Sequence, residues 1–224
     1  MVEGRPFIDW LWIGSNLDDI VERLLQHLQL TVIPLVGGFA ISLLLAIWAL
    51  RRPTVYTPVI AVSGLLYTIP SLAAFAVLRP IFGLSLLTAV IPLTTYTLLI
   101  LFRNIVAGFQ SVPGEVLEAA EAMGYTSGQR LLRVQVPLAV PLMIAGVRLA
   151  AVTVIGLATV AAILGDAYGG LGQFITEGLQ QLFPTKYLLG AVLSVVLAFL
   201  AHWLFVGIER AVTPWATGRG RAVG

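Results

Sequence analysis

The chain has no cysteine in its 224 residues. That excludes disulfides, iron–sulfur clusters and thiolate chemistry, and says nothing about compartment. It has two histidines, His27 and His202, in different segments. There is no HExxH pair and no Gly-rich phosphate loop. A hydrolase working inside a membrane needs a nucleophile beside a base, and the sequence shows no such pair. Charge is scarce too: 11% of residues are Asp, Glu, Lys or Arg, where a soluble domain carries about 25%. With 58% hydrophobic residues and a mean hydropathy of +0.96, much of the surface is not made for water. A net charge of +2 gives nucleic acid no electrostatic footing. Glu3, Asp9, Asp18, Asp19 and Glu22 interrupt the first thirty residues and argue against a cleavable signal.

What the chain has instead is long apolar runs. A bilayer crossing takes about 20 apolar residues. Five runs qualify: Leu30 to Leu50, Pro58 to Leu78, Leu84 to Phe102, Pro137 to Leu164 and Tyr187 to Ile208. Ahead of them, Leu17, Ile20, Val21, Leu24, Leu25 and Leu28 recur at helical spacing between Asn16 and Leu30. This reads as an amphipathic helix forming a lid packed on the bundle, with a lipid-surface helix as the other reading. The expected organisation is an N-terminal segment over 1–29, a membrane domain over 30–210 and a tail over 211–224.

Alternating the five spans puts Arg51, Arg52, Arg103, Arg130, Arg133, Arg210, Arg219 and Arg221 on one side, and Arg5, Arg23, Arg79 and Lys186 on the other. The richer side is expected to face the cytoplasm. The N-terminus is then outside, the C-terminus inside, and the polar segment 103–137 is a cytoplasmic loop. Its punctuation is local. Pro113 suits a helix start, and Glu115 and Glu118 suit the positive end of its dipole. Gly124 suits a left-handed C-cap, and Thr126 with Gln129 makes a capping box. The expectation is a helix over Glu115–Met123, a glycine turn, and a second helix ending before Pro137. Ala119, Ala120 and Ala122 keep the first helix thin, as in a docking element.

Candidate pathway residues are polar residues inside spans. Pro70 should kink the second span near Tyr67, Thr68 and Ser71. Their hydroxyls either satisfy freed carbonyls or line a path. Thr94, Thr95, Tyr96 and Thr97 cover every face of the third span, so some of them meet protein or a cavity. Thr153 and Thr159 are weaker cases, because isolated threonines satisfy their own helix. Arg148 is the one arginine, lysine, aspartate or glutamate deep in a span. It either snorkels or pairs near the inner boundary, or takes part in a gate. Gly165, Gly169, Gly170 and Gly172 read as a flexible loop or as the rim of a gated path, with Asp166 among them.

The loop carries a resemblance. Glu118-Ala119-Ala120, three residues, Gly124, nine residues, then Val134-Gln135-Val136-Pro137 is similar to the EAA motif of ABC importer permeases, with valines where the family has isoleucine and leucine. The likeness runs from about Gly37 to Arg210. Thr68-Ile69-Pro70-Ser71-Leu72-Ala73 resembles the "IPSLA" stretch of the osmoprotectant branch, and Ala145-Gly146-Val147-Arg148 its "AGIR" segment. Val154-Ile155-Gly156-Leu157-Ala158-Thr159 resembles a further stretch of that branch. Asp166 and Tyr168 depart from the family's "IGAGGLG". Methionine-importer permeases are the second reading; an ion channel is a third, and leaves the EAA-like loop without a purpose.

The resemblance implies an all-α transmembrane bundle of the type I importer (MetI-like) class, with five core spans and an N-terminal amphipathic helix. It implies transport of glycine betaine, choline or carnitine, with Glu118, Ala119, Ala120, Gly124, Val134 and Pro137 seating on a separate ATPase subunit. ATP and magnesium would reside on that subunit, and no cofactor on this chain. An extracytoplasmic binding protein would deliver the solute. One copy has too few helices to enclose a path, so a second copy or a paralogue is expected in the bilayer.

Overall fold

A computed structural model describes residues 6–162 and 169–217. The described residues form helices and no strand: α1 (Trp10–Ser15), α2 (Leu17–Arg51), α3 (Tyr56–Thr68), α4 (Ser71–Phe82), α5 (Leu86–Gln110), α6 (Gly114–Ala122), α7 (Ser127–Arg130), α8 (Val136–Ala161), α9 (Gly170–Gln180), α10 (Pro184–Val212) and α11 (Pro214–Thr217). Four helical rods are long and apolar enough to cross a membrane: α2, α5, α10, and α7 continuing into α8. The bent pair α3 and α4 makes a fifth.

The centre is α5, packed between α2 and α8. Its inward stripe includes Ala89, Leu93, Tyr96, Leu101, Phe102, Ile105 and Phe109. Small residues let the neighbours close in. A Cβ on Gly38 of α2 would overlap the Thr97 side chain, and one on Gly108 would sit 2.8 Å from the Ala139 carbonyl of α8. Backbones that approach this closely are how helices gain contact where lipid supplies no hydrophobic drive. The outer faces stay open: Val195, Phe199 and Leu204 of α10 are each at least 60% exposed, apolar surface matched to lipid tails.

Three elements depart from the sequence reading. The amphipathic segment is not a separate lid but the first turns of the 35-residue α2, because nothing between Asn16 and Leu30 breaks a helix. Leu17, Val21 and Leu25 face outward, each more than half exposed, while His27, Leu30 and Thr31 turn inward. The boundary drawn after residue 29 therefore falls inside one rod.

The glycine stretch, as far as it is described, opens α9, an 11-residue helix with Gly170 to Phe174 buried. Its glycines serve contact: a Cβ on Gly172 would overlap the Thr159 carbonyl of α8, and one on Gly178 the Tyr187 backbone of α10. Gly170 also holds φ +52, the left-handed region. Gly165, Asp166 and Tyr168 lie outside the described residues.

The second helix of the polar loop does not end before Pro137. Residues Leu131–Gln135 widen into a π turn, with the Val136 amide bonding back to the Leu131 carbonyl, and α8 follows directly. A proline lacks the amide donor and crowds the carbonyl four residues earlier. The wider turn accommodates both at Pro137.

Candidate functional site

The polar loop is built at the end of the bundle where α2 finishes. Leu50 and Arg51 of α2 share a shallow cleft with Ser127, Arg130 and Gln135. Val112 is buried and anchors the entry. Pro113 sits at the N-cap of α6, Glu115 lies in the first turn, and the helix stops at Met123. Gly124 then takes φ +82. The Gly124 amide donates to the Glu121 carbonyl at 2.9 Å, and the Tyr125 amide to the Ala120 carbonyl at 3.1 Å. That pair of bonds is a Schellman cap, and it needs the left-handed residue the sequence supplies. The next helix restarts at once. The Gln129 amide donates to Thr126 Oγ1 at 3.3 Å, and the Thr126 amide to Gln129 Oε1 at 2.9 Å, a complete capping box.

These caps fix two short helices as one wedge, and Arg130 Nη1 donating to Glu121 Oε2 at 2.8 Å ties them. Ala120 is buried, and α6 packs on α7 and the π turn. Glu118, Ala119 and Gly124 are exposed, while Val134 and Pro137 are half-buried at the root. Met123 is 68% exposed and Leu132 69%, apolar side chains on a polar loop with nothing of their own chain over them.

The candidate pathway residues are scattered rather than gathered. Pro70 does more than kink the span: Ile69 and Pro70 take ψ 126 and 132, and α3 and α4 meet at 90°. A residue before proline avoids the helical region, which places the break at Ile69. Thr68 Oγ1 donates to the Leu65 carbonyl, and Ser71 opens α4. Tyr96 of α5 reaches across, its hydroxyl donating to the Ile69 carbonyl at 2.7 Å. Tyr67 packs against Tyr96 edge-on, ring centroids 5.9 Å apart. Thr94, Thr97 and Thr159 donate to carbonyls of their own helices. Thr97 is fully buried between α5 and α2, which places it in packing.

Arg148 has a partner the sequence did not disclose. Its Nη1 lies 3.2 Å from Glu209 Oε2, at the loop-side end of α10, with both side chains 28% exposed. At the opposite end His27 joins three elements. Its Nε2–H donates to the Ile155 carbonyl of α8 at 3.1 Å, and its Nδ1 accepts the Leu171 amide of α9 at 3.3 Å. A side chain of α2 thus caps the first turn of α9. Nearby, Lys186 Nζ meets Glu177 Oε2 at 2.7 Å. Burial raises the Glu177 pKa. Hydrogen bonds from Lys186 and Gln173, with the positive charges of Lys186 and Arg23, outweigh that and hold it below the ordinary carboxylate range. Asp9 caps α1 through the Trp12 amide, and Trp12 packs edge-on against Phe174 and Phe183. Among the described residues, no cluster of three or more His, Asp or Glu could hold a metal ion.

Comparison with known proteins supplies the family. Residues 38–214 match the family described as binding-protein-dependent transport system inner membrane component. The carnitine transport permease protein OpuCB of Listeria monocytogenes is 34% identical over 210 residues, covering 94% of this chain and 95% of that protein. The glycine betaine/carnitine/choline transport system permease protein OpuCB of Bacillus subtilis is 30% identical, covering 91% and 93%. The osmoprotectant import permease protein OsmW of Salmonella typhimurium is 33% identical, covering 89% and 94%. Among solved structures, a chain of the MetNI methionine ABC transporter in an inward-facing conformation has the same fold, with TM-score 0.75 and 24% identity, covering 87% of this chain and 96% of that one.

Proposed function

The chain belongs to the family of binding-protein-dependent transport system inner membrane components, and from that premise we propose that it is the permease subunit of an ATP-driven importer of osmoprotectants such as glycine betaine, choline or carnitine. The observation that carries this reading is the doubly capped wedge, rigid by its own bonds and apolar at Met123 and Leu132. It is shaped to seat in a groove of a separate ATPase subunit, with Glu118, Ala119 and Gly124 at the contact, Val134 and Pro137 at its root, and Ala120, expected at the contact from sequence, buried within the wedge instead. ATP and magnesium belong on that subunit, and this chain hydrolyses nothing.

The membrane domain works with a second copy or a paralogue. The wedge faces the cytoplasm, the N-terminus the outside, and a binding protein delivers solute at the α9 end. Closure of the ATPase pair draws two wedges together and switches the path between its inward and outward openings. Tyr67, Thr68 and Ser71 at the break are the candidate pathway residues best placed to meet solute. Thr94, Thr97, Arg148 and Thr159 make bonds within the bundle. Asp166 stays a candidate for the outer gate from sequence alone. The substrate class rests on the named relatives, which favour osmoprotectants over the methionine alternative.

The test is reconstitution. Vesicles holding the tagged chain with its copurified ATPase should take up labelled glycine betaine only with ATP and loaded binding protein. Uptake by the chain without any ATPase would overturn the reading. A partner binding protein that holds methionine would move the chain to the other branch.

A further inference from the structure

The break in the second span leaves backbone polar groups open at membrane depth. The 13-residue α3 runs from the wedge end, so Thr68 lies ~20 Å along it at 1.5 Å per residue, inside a hydrocarbon core ~30 Å thick. Tyr96, near the middle of the 25-residue α5, holds the Ile69 carbonyl and fixes that depth. Among the described residues, no backbone hydrogen bond carries the Tyr67 or Thr68 carbonyl across to α4. Non-helical backbone in a bilayer persists only where protein buries it or where it lines a watery cavity. This chain does not bury it: Tyr67 and Ile69 are 40% exposed and Leu72 47%. A dry contact would leave the same carbonyls without donors, so the break belongs on the aqueous path.

The chemistry offered there suits one kind of ligand. Tyr96 is 4% exposed, so Tyr67 is the ring that presents open surface. The C-terminal carbonyls of α3 carry the negative end of its dipole. No Asp or Glu occurs between Pro53 and Phe82 to form a salt bridge. An aromatic face beside carbonyls attracts a cation that has no proton to donate. We propose that Tyr67, with the open carbonyls at the end of α3, forms a mid-membrane transit site for the quaternary ammonium group of the solute. Resting on the osmoprotectant reading, the proposal adds a point of recognition inside the permease. The lack of a carboxylate keeps the site weak, as a transit site must be for the solute to leave.

The test uses the whole transporter in an uptake-deficient strain, with labelled glycine betaine and choline as probes. Tyr67→Phe, which keeps a ring face, should keep uptake well above that of Tyr67→Leu. Tyr67→Leu should lower it about tenfold, the equivalent of ~1.4 kcal/mol, while the binding protein keeps its affinity and the ATPase still copurifies. A series of phenylalanines of rising fluorine content at position 67 should lower uptake stepwise, because fluorine drains the ring face without changing its shape. Undiminished uptake in Tyr67→Leu overturns the proposal. So does a flat fluorine series, which would make position 67 a matter of shape alone. A wild-type transporter that carries no quaternary ammonium ion overturns the underlying reading and the proposal with it.

Discussion

Replacing Gly124 with valine tests the wedge with little else disturbed. A Cβ at this position meets nothing of its own chain within 4 Å, so within the chain the substitution acts through the backbone and not through a clash. At φ +82 a β-branched residue is an outlier, and the left-handed region costs an L-residue ~1–2 kcal/mol. If the turn relaxes to escape that strain, it gives up the two Schellman bonds, each contributing ~1 kcal/mol. Either route penalises the native turn by ~2 kcal/mol, about a thirtyfold shift in its population. The bundle does not depend on the turn, so membrane insertion and yield should hold. In vesicles containing the ATPase and binding protein, Gly124→Val should sharply lower uptake per ATP hydrolysed. Gly124→Asn should stay near wild type, because asparagine tolerates this conformation, and Gly124→Ala should fall between. Uptake and coupling in Gly124→Val equal to wild type would refute the reasoning, since the wedge would then not need its shape.

Three further outcomes are expected. Arg148→Met should destabilise the chain in detergent by ~1–3 kcal/mol, because Glu209 keeps a part-buried charge, and Arg148→Met with Glu209→Met should recover most of it in thermal unfolding. Glu177 has a depressed pKa, so its stabilisation is present at neutral pH and is lost as pH falls through the acid range. Acid unfolding of the purified chain should show this, and Lys186→Met should weaken the dependence. His27→Ala should leave the Leu171 amide unpaired and cost ~1–3 kcal/mol, with faster hydrogen exchange at the start of α9 as the readout.

The parts of this molecule that could be read from sequence are those whose causes lie within a few residues. The wedge was legible because Pro113, Gly124, Thr126 and Gln129 each act on their own turn. The break at Pro70 was legible as a kink, but its right angle and its tether to Tyr96 were not, since that bond joins residues 27 apart. Helix α9 was missed because its glycines read as a loop. They are there for backbone contact with α8 and α10, and packing overrides their poor helix propensity. Nothing in the sequence marks His27 as the cap of a helix 144 residues away, or Glu209 as the partner of Arg148. A lone histidine or arginine names its needs but not who meets them. The proline rule at Pro137 misled for another reason: a helix can widen by one residue instead of stopping.

The unbroken run from Ser127 through the π turn to Ala161 spans 35 residues, or ~52 Å of rod at 1.5 Å per residue. Its π turn at Leu131–Gln135 and its proline at Pro141 lie toward the wedge end, and the helix beyond them runs on to the α9 end. α5 packs along it throughout the bundle, from Gly108 against Ala139 at one end to Ala89 and Leu93 in one cluster with Ala158 and Ala161 at the other. Under the proposed coupling, a displacement of the wedge therefore has one continuous helical path to the α9 end.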